Sequence, residues 1–257
     1  MEPIEVGKLD QILARLDAQD IQLASIYSFA NETNVVVKDI LQGRQLSEWI
    51  TDLATSGTSS ATYGNSDRMN ALIADSDACR NVDVAQYLLD WAVTHDKAGT
   101  YYGSALGSVS GVTWTSLTTA NSVMGNSAAF TAIAANNTAF TASMNNATCR
   151  TAIYNNAATT GSIIVSSAIA MSILTQKRQW ICDDTVESYT GNWFLLSACS
   201  YNGTVTVTLK AGGTHQTSYF GAVSSAYSQQ EPVNKFMTKV STNSSRKYLC
   251  FYYVDFS

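Results

Sequence analysis

Charge is scarce in this sequence. Only 14% of its 257 residues are charged, against about a quarter in an ordinary globular protein. The shortage is local: residues 1–100 carry 15 acids and 7 bases, residues 98–149 carry no charge, and Arg150 is the only charge between Lys97 and Lys177. A net charge of −5, a sequence pI near 4.9 and the lack of any basic cluster exclude the electrostatic footprint of a nucleic-acid binder. The pairs Lys177-Arg178 and Arg246-Lys247 read as solvated loop charges. Histidine is nearly missing as well. A Ser-His-Asp hydrolase would have to use His95 or His215, and no GxSxG elbow, HExxH or Walker loop accompanies them. The five cysteines (Cys79, Cys149, Cys182, Cys199 and Cys250) form no CxxC pair and have no neighbouring histidine, so no zinc site is expected. They read as reduced, small apolar residues. No catalytic residue, cofactor or metal is therefore expected. The N-terminus is acidic, and no apolar stretch of signal-peptide type follows it. The longest apolar run, residues 163–174, is broken by serines and too short to span a bilayer, which suggests a buried helix and no membrane insertion.

What is present divides into three regions, an α+β arrangement with expected boundaries at 1–60, 61–176 and 177–257. In the first, Leu9, Leu16, Leu23, Ala30 and Val37 share one heptad position, and Ile12, Gln19, Ile26, Thr33 and Ile40 share its partner. Eight of these ten are apolar, sustained over more than four heptads, which predicts an oligomeric coiled coil. Leucine at a with isoleucine at d disfavours dimers and points to trimers or tetramers, while polar Gln19 and Thr33 in the seam fix register. An amphipathic helix packed on its own domain is the competing reading. After Gly43, residues 45–53 read as a separate short helix, followed by a Ser/Thr/Gly linker at 55–60.

The second region repeats with a period of ten. Residues 124–133, 134–143, 144–153 and 154–163 align so that Asn126, Asn136, Asn146 and Asn156 fall in one column, and Thr131, Thr141 and Thr151 in another. Earlier copies occupy 63–72 and 73–82. Each Asn or Asp offers an N-cap to a short Ala-rich helix. Phe130, Phe140, Cys149, Ile133 and Ile153 then share a face that a single unit cannot bury, so stacked copies must form one core. A helix over 84–94 separates the two blocks, and the segment with Gly103, Gly107 and Gly111 reads as a loop.

In the third region the period changes to two. Strands are expected at 193–200, 204–210, 214–220, 236–240 and 247–256, with Asn202-Gly203 and Gly212-Gly213 as hairpin turns. That count suggests an antiparallel β-sandwich. The last strand is apolar on both faces, so it is expected to be buried on both, in the middle of a sheet or against another subunit. Tyr189, Trp193, Tyr201, Tyr219 and Tyr227 could stack on sugars in a ligand surface or simply pack in a core or interface. Asp183, Asp184 and Glu187 form the best acidic cluster. Two such carboxylates would serve a glycosidase, although acids at a strand entry usually line a solvated turn.

The decapeptide block, as in 126–134 (Asn-Ser-Ala-Ala-Phe-Thr-Ala-Ile-Ala), resembles repeats in virion structural proteins of tailed bacteriophages. The resemblance covers about 63–82 and 114–163. Arg150 departs from it by replacing the aromatic residue, and Gly161 interrupts the fourth unit. It implies a virion location and a fibre, tail or appendage role beside a small β-domain, and it brings no catalytic residues. The expectation is a homotrimeric attachment or host-contact component, partnered by itself, by other virion proteins and by a host-surface glycan or protein. A tail, neck or capsid assembly protein anchored by its β-domain, and a virion depolymerase, are the alternatives.

Overall fold

The computed structural model describes residues 3–175, 177–183, 188–200, 204–217, 231–242 and 247–257. They form a mixed helical and antiparallel-sheet protein with two compact units, 1–51 and 52–257.

Helix α1 runs from Pro3 to Ser56 without a break, 54 residues and about 80 Å at 1.5 Å per residue. Proline suits its first turn, where no intrahelical N–H bond is due. The helix expected separately at 45–53 is its last part. A glycine inside a helix costs only about 1 kcal/mol relative to alanine, so Gly43 does not end it. The C-terminal turn belongs to the second unit: Leu53 is fully buried, and the Asp52 carboxylate accepts the Thr62 N–H at 2.9 Å.

The second unit opens with ten short helices: α2 (Ser66–Ala74), α3 (Ser76–Arg80), α4 (Ala85–Thr94), α5 (Ala98–Leu106), α6 (Ala120–Gly125), α7 (Ser127–Ala134), α8 (Asn137–Asn145), α9 (Ala147–Asn155), α10 (Ala157–Ser166) and α11 (Ala168–Ile173). The asparagine column sets where they start. Asn126, Asn136 and Asn146 each accept a backbone N–H three residues on, from Ala129, Ala139 and Cys149, at 3.0, 3.0 and 2.7 Å. Asn65 and Asp75 cap α2 and α3 in the same way. Asn156 departs from the pattern, since its amide donates to Asn121 and to the Ala152 carbonyl. Residues 163–174 are not one buried helix. Ser167 interrupts them, capping α11 through the Ala170 N–H and donating its own hydroxyl to the Ala134 carbonyl.

Between the helices lie Phe130 and Phe140, their ring centroids 6.4 Å apart, with Ile133, Cys149 and Ile153 fully buried around them. Gly103 lies inside helix α5, which threads this core and buries Tyr101 and Tyr102, while Gly107 and Gly111 follow it in the expected loop. Glycine is needed there for close approach. A Cβ on Gly99 would stand 2.0 Å from the Trp114 carbonyl oxygen, and Gly107 ends the helix at φ +74°.

Six strands follow: β1 (Lys177–Asp183), β2 (Ser188–Ser200), β3 (Val205–Leu209), β4 (Thr214–Thr217), β5 (Glu231–Thr242) and β6 (Lys247–Asp255). Among the described residues they form a single antiparallel sheet, in the order β1-β6-β2-β5-β3-β4. No second sheet is formed among these residues; one face of this sheet is covered by helices. Tyr154 of α9 donates to the Met237 carbonyl at 3.1 Å and meets Phe236 edge-on. Gly161 of α10 presents its backbone to the same ring. The other face carries its own buried cluster, including Leu195, Val207, Met237, Val240 and Phe251. β6 lies between β1 and β2, with Phe251 buried on one face and Val254 on the other. The apolar character of both its faces is thus met inside one chain by a central place in the sheet.

Candidate functional site

Among the described residues, helix α1 carries a long run of exposed surface. Every side chain from residue 13 to residue 37 is exposed. Leu16, Leu23, Ala30 and Val37 recur at heptad a; Gln19, Ile26 and Thr33 recur at d. Leu23 and Ile26 are each 66% exposed. The side chains of Leu9, Ile12 and Ile40, the remaining seam positions, lie outside those described. Thr33 suits a seam in spite of its hydroxyl, because Oγ1 donates to the Phe29 carbonyl at 2.8 Å and its polar need is met within the helix.

The apolar surface is wider than the seam. Leu13, Tyr27 and Leu41 recur at position e, and Phe29 and Val36 at g, all exposed. These flanking positions are usually charged in a two-stranded coiled coil. Apolar residues there widen the exposed strip. Heptad reading by a and d alone missed them, although the recurrence of e residues every fourteen positions was visible. Ile21, 71% exposed, and Val35 fall at heptad position f, away from that strip. No helix among the described residues is long and apolar enough to cross a membrane.

The candidate ligand aromatics are dispersed in their fates. Tyr189 and Trp193 are half-buried and pack on the sheet: Trp193 lies 4.7 Å from Tyr253 and 5.7 Å from Phe251, and Tyr189 lies 6.0 Å from Phe251, between ring centroids. A register shift in β2 between Thr190 and Trp193 sets the indole against Gly191, where a Cβ would stand 2.2 Å from the ring. Tyr201, Tyr219 and Tyr227 lie outside the described residues. So do Asp184 and Glu187; Asp183 ends β1 opposite Lys247. Among the described residues no three His, Cys, Asp or Glu side chains gather as metal ligands would.

The buried titratable groups are held neutral. Burial pushes the Cys79 and Cys149 thiols up to about 12, and burial likewise raises Tyr102, whose hydroxyl pairs with Ser143 Oγ at 2.8 Å. Thiols with so little thiolate are poor nucleophiles. In comparison with known proteins, no family model matches the sequence and no curated protein is significantly similar to it.

Proposed function

We propose that this chain is a homotrimeric structural component of a tailed-bacteriophage virion, assembled through a coiled coil of helix α1, with residues 52–257 serving attachment or host contact. The observation that carries the assembly is the heptad-spaced apolar strip on α1, left wet along the middle of a 54-residue helix. A helix in a protein gains most of its stability from packing such a face, and each fully buried Leu, Ile or Val contributes about 1.5–3 kcal/mol. Leucine at a with isoleucine at d, together with apolar e and g positions, favours three strands or more over two. The virion setting rests on the decapeptide repeats and their likeness to phage structural proteins.

Ile21 and Val35 support a second kind of contact. A three-stranded bundle closed through a, d, e and g leaves position f outside, and apolar side chains there suit another virion protein lying alongside. Sedimentation equilibrium of the full protein tests the core of the reading. Three times the 27.7 kDa chain mass is expected at micromolar concentration, and a monomer at tens of micromolar would sink it.

A further inference from the structure

The charges of helix α1 are placed unevenly with respect to its heptad. Of the e and g positions that flank the seam between residues 13 and 41, two are charged: Arg15 at g and Asp20 at e. They differ in sign, and both side chains are exposed. Neither has an opposite charge within reach along its own helix. A helix brings together residues three or four apart, and no acid stands at those distances from Arg15 and no base from Asp20. Asp17, three residues before Asp20, adds a charge of the same sign. Arg44 and Glu48, which do have the helical spacing, pair at 3.3 Å. The separation of five between Arg15 and Asp20 is therefore wrong for a pair within one helix, but it is the separation that pairs two helices.

In parallel, in-register strands a g residue lies beside the e residue five positions further on in the next chain. Arg15 then meets Asp20 of the neighbouring copy, and Val36 meets Leu41, an apolar pair. Antiparallel strands behave differently, because there a faces d, g faces g and e faces e. Aligning the middle of the seam, Leu23 against Ile26, puts Arg15 opposite Val36 and Asp20 opposite Tyr27. Each charge would lose water against an apolar or aromatic side chain and gain no counter-charge, which is costly. Gln19 in the seam decides the same way. Among parallel strands its amide meets the amides of its copies, and each both donates and accepts. Between antiparallel strands it faces Ala30, whose side chain does neither. Thr33 imposes no choice, because its hydroxyl is already met by the Phe29 carbonyl.

We infer that helix α1 binds copies of itself in parallel and in register, with Arg15 of each chain on Asp20 of the next and the Gln19 side chains in one layer. The inference rests on the α1 bundle proposed above and adds its direction. Direction matters because residues 52–257 follow α1 in every chain. Parallel strands bring the copies of that unit to one end of the bundle, whereas antiparallel strands divide them between two ends. A contact that one unit makes with a surface is then repeated beside it by its copies, and linkage of this kind raises avidity without any new contact.

The test uses the full protein. Gln19→Cys and Ala30→Cys, both at exposed positions of the single chain, are oxidised separately and after refolding together, then run without reductant beside wild type. Wild type gives the background of the native cysteines. Parallel strands place each new thiol against its own copy, so either variant alone is expected to form a covalent dimer above that background. Antiparallel strands would form it only in the mixture. Charge reversal gives a second reading by sedimentation equilibrium. Arg15→Glu or Asp20→Arg alone should raise the trimer dissociation constant roughly a hundredfold, because three attractions become three repulsions. Both in one chain should return it to within about threefold of wild type. Crosslinking in the mixture alone or in no sample, or a double reversal as weak as the two singles combined, would overturn the parallel register. An oligomeric wild-type mass alongside any of those results leaves the bundle standing without its direction, whereas a wild-type monomer at tens of micromolar removes both.

Discussion

Substituting Leu23 by alanine separates the coiled coil from a lone helix by the sign of its effect. In a single chain Leu23 is 66% exposed. Exposed substitutions change stability by about 0.5 kcal/mol or less, and alanine is the better helix former, so a lone α1 would be unaffected or slightly stabilised. In a trimer Leu23 sits at position a against its two copies. Loss of a packed leucine costs about 2–5 kcal/mol; taking about 2–3 for a side chain near a bundle surface gives about 6–9 kcal/mol for three chains. At about 1.4 kcal/mol per tenfold, the trimer dissociation constant rises roughly ten-thousand- to a million-fold. Because that constant carries the square of concentration, the assembly midpoint moves by about two to three decades. Sedimentation equilibrium between about 1 and 100 µM, with helix content followed by circular dichroism, reads both quantities. Equal masses for Leu23→Ala and wild type across that range would refute the seam, even if both were oligomers.

The remaining expectations concern the second unit. Asn136→Ala should cost about 1 kcal/mol through its lost cap. Asn146→Ala should cost about 2–3, because its amide also donates to Asp90 at 2.6 Å; urea unfolding orders the two, and equal costs would deny Asn146 its second role. Gly99→Ala should destabilise by at least about 3 kcal/mol, since the new methyl meets the Trp114 and Leu117 carbonyls at 2.0 and 2.5 Å. A soluble variant with native melting temperature would contradict that packing. Alkali should weaken the fold, because the Cys79 and Cys149 thiols rise from an ordinary 9 to about 12 on folding. The folded state keeps protons that the unfolded state loses, so their contribution is complete below about pH 9 and is lost as pH climbs towards 12. Replacing both by alanine should flatten part of that limb, with buried Tyr101 and Tyr102 supplying the rest; an unchanged slope in denaturation between pH 8 and pH 11 would refute it.

Sequence alone determined the features whose physics is local. An asparagine that accepts the N–H three residues on caps a helix through local contacts alone, so Asn126, Asn136 and Asn146 announced α7, α8 and α9. Gly212 and Gly213 marked the β3–β4 turn through their positive φ, and the doubly apolar pattern of 247–256 announced a strand buried on both faces. Heptad spacing likewise picked out apolar positions of α1, and those between residues 13 and 37 are exposed. Only the tertiary structure decided what depends on partners distant in the chain. β1 begins with Lys177 and Arg178 and shows little alternation, and it is a strand because β6 pairs with it at the sheet edge. The order β1-β6-β2-β5-β3-β4, and the covering of that sheet by α9 and α10 in place of a second sheet, follow from which apolar faces fit together over long separations. Gly103 reads as a loop residue until Trp114 is placed against it. Arg150 was conspicuous as a solitary charge, but the cavity it lines with Val254 forms only when the end of β6 returns beside α8 and α9, about a hundred residues further along the chain.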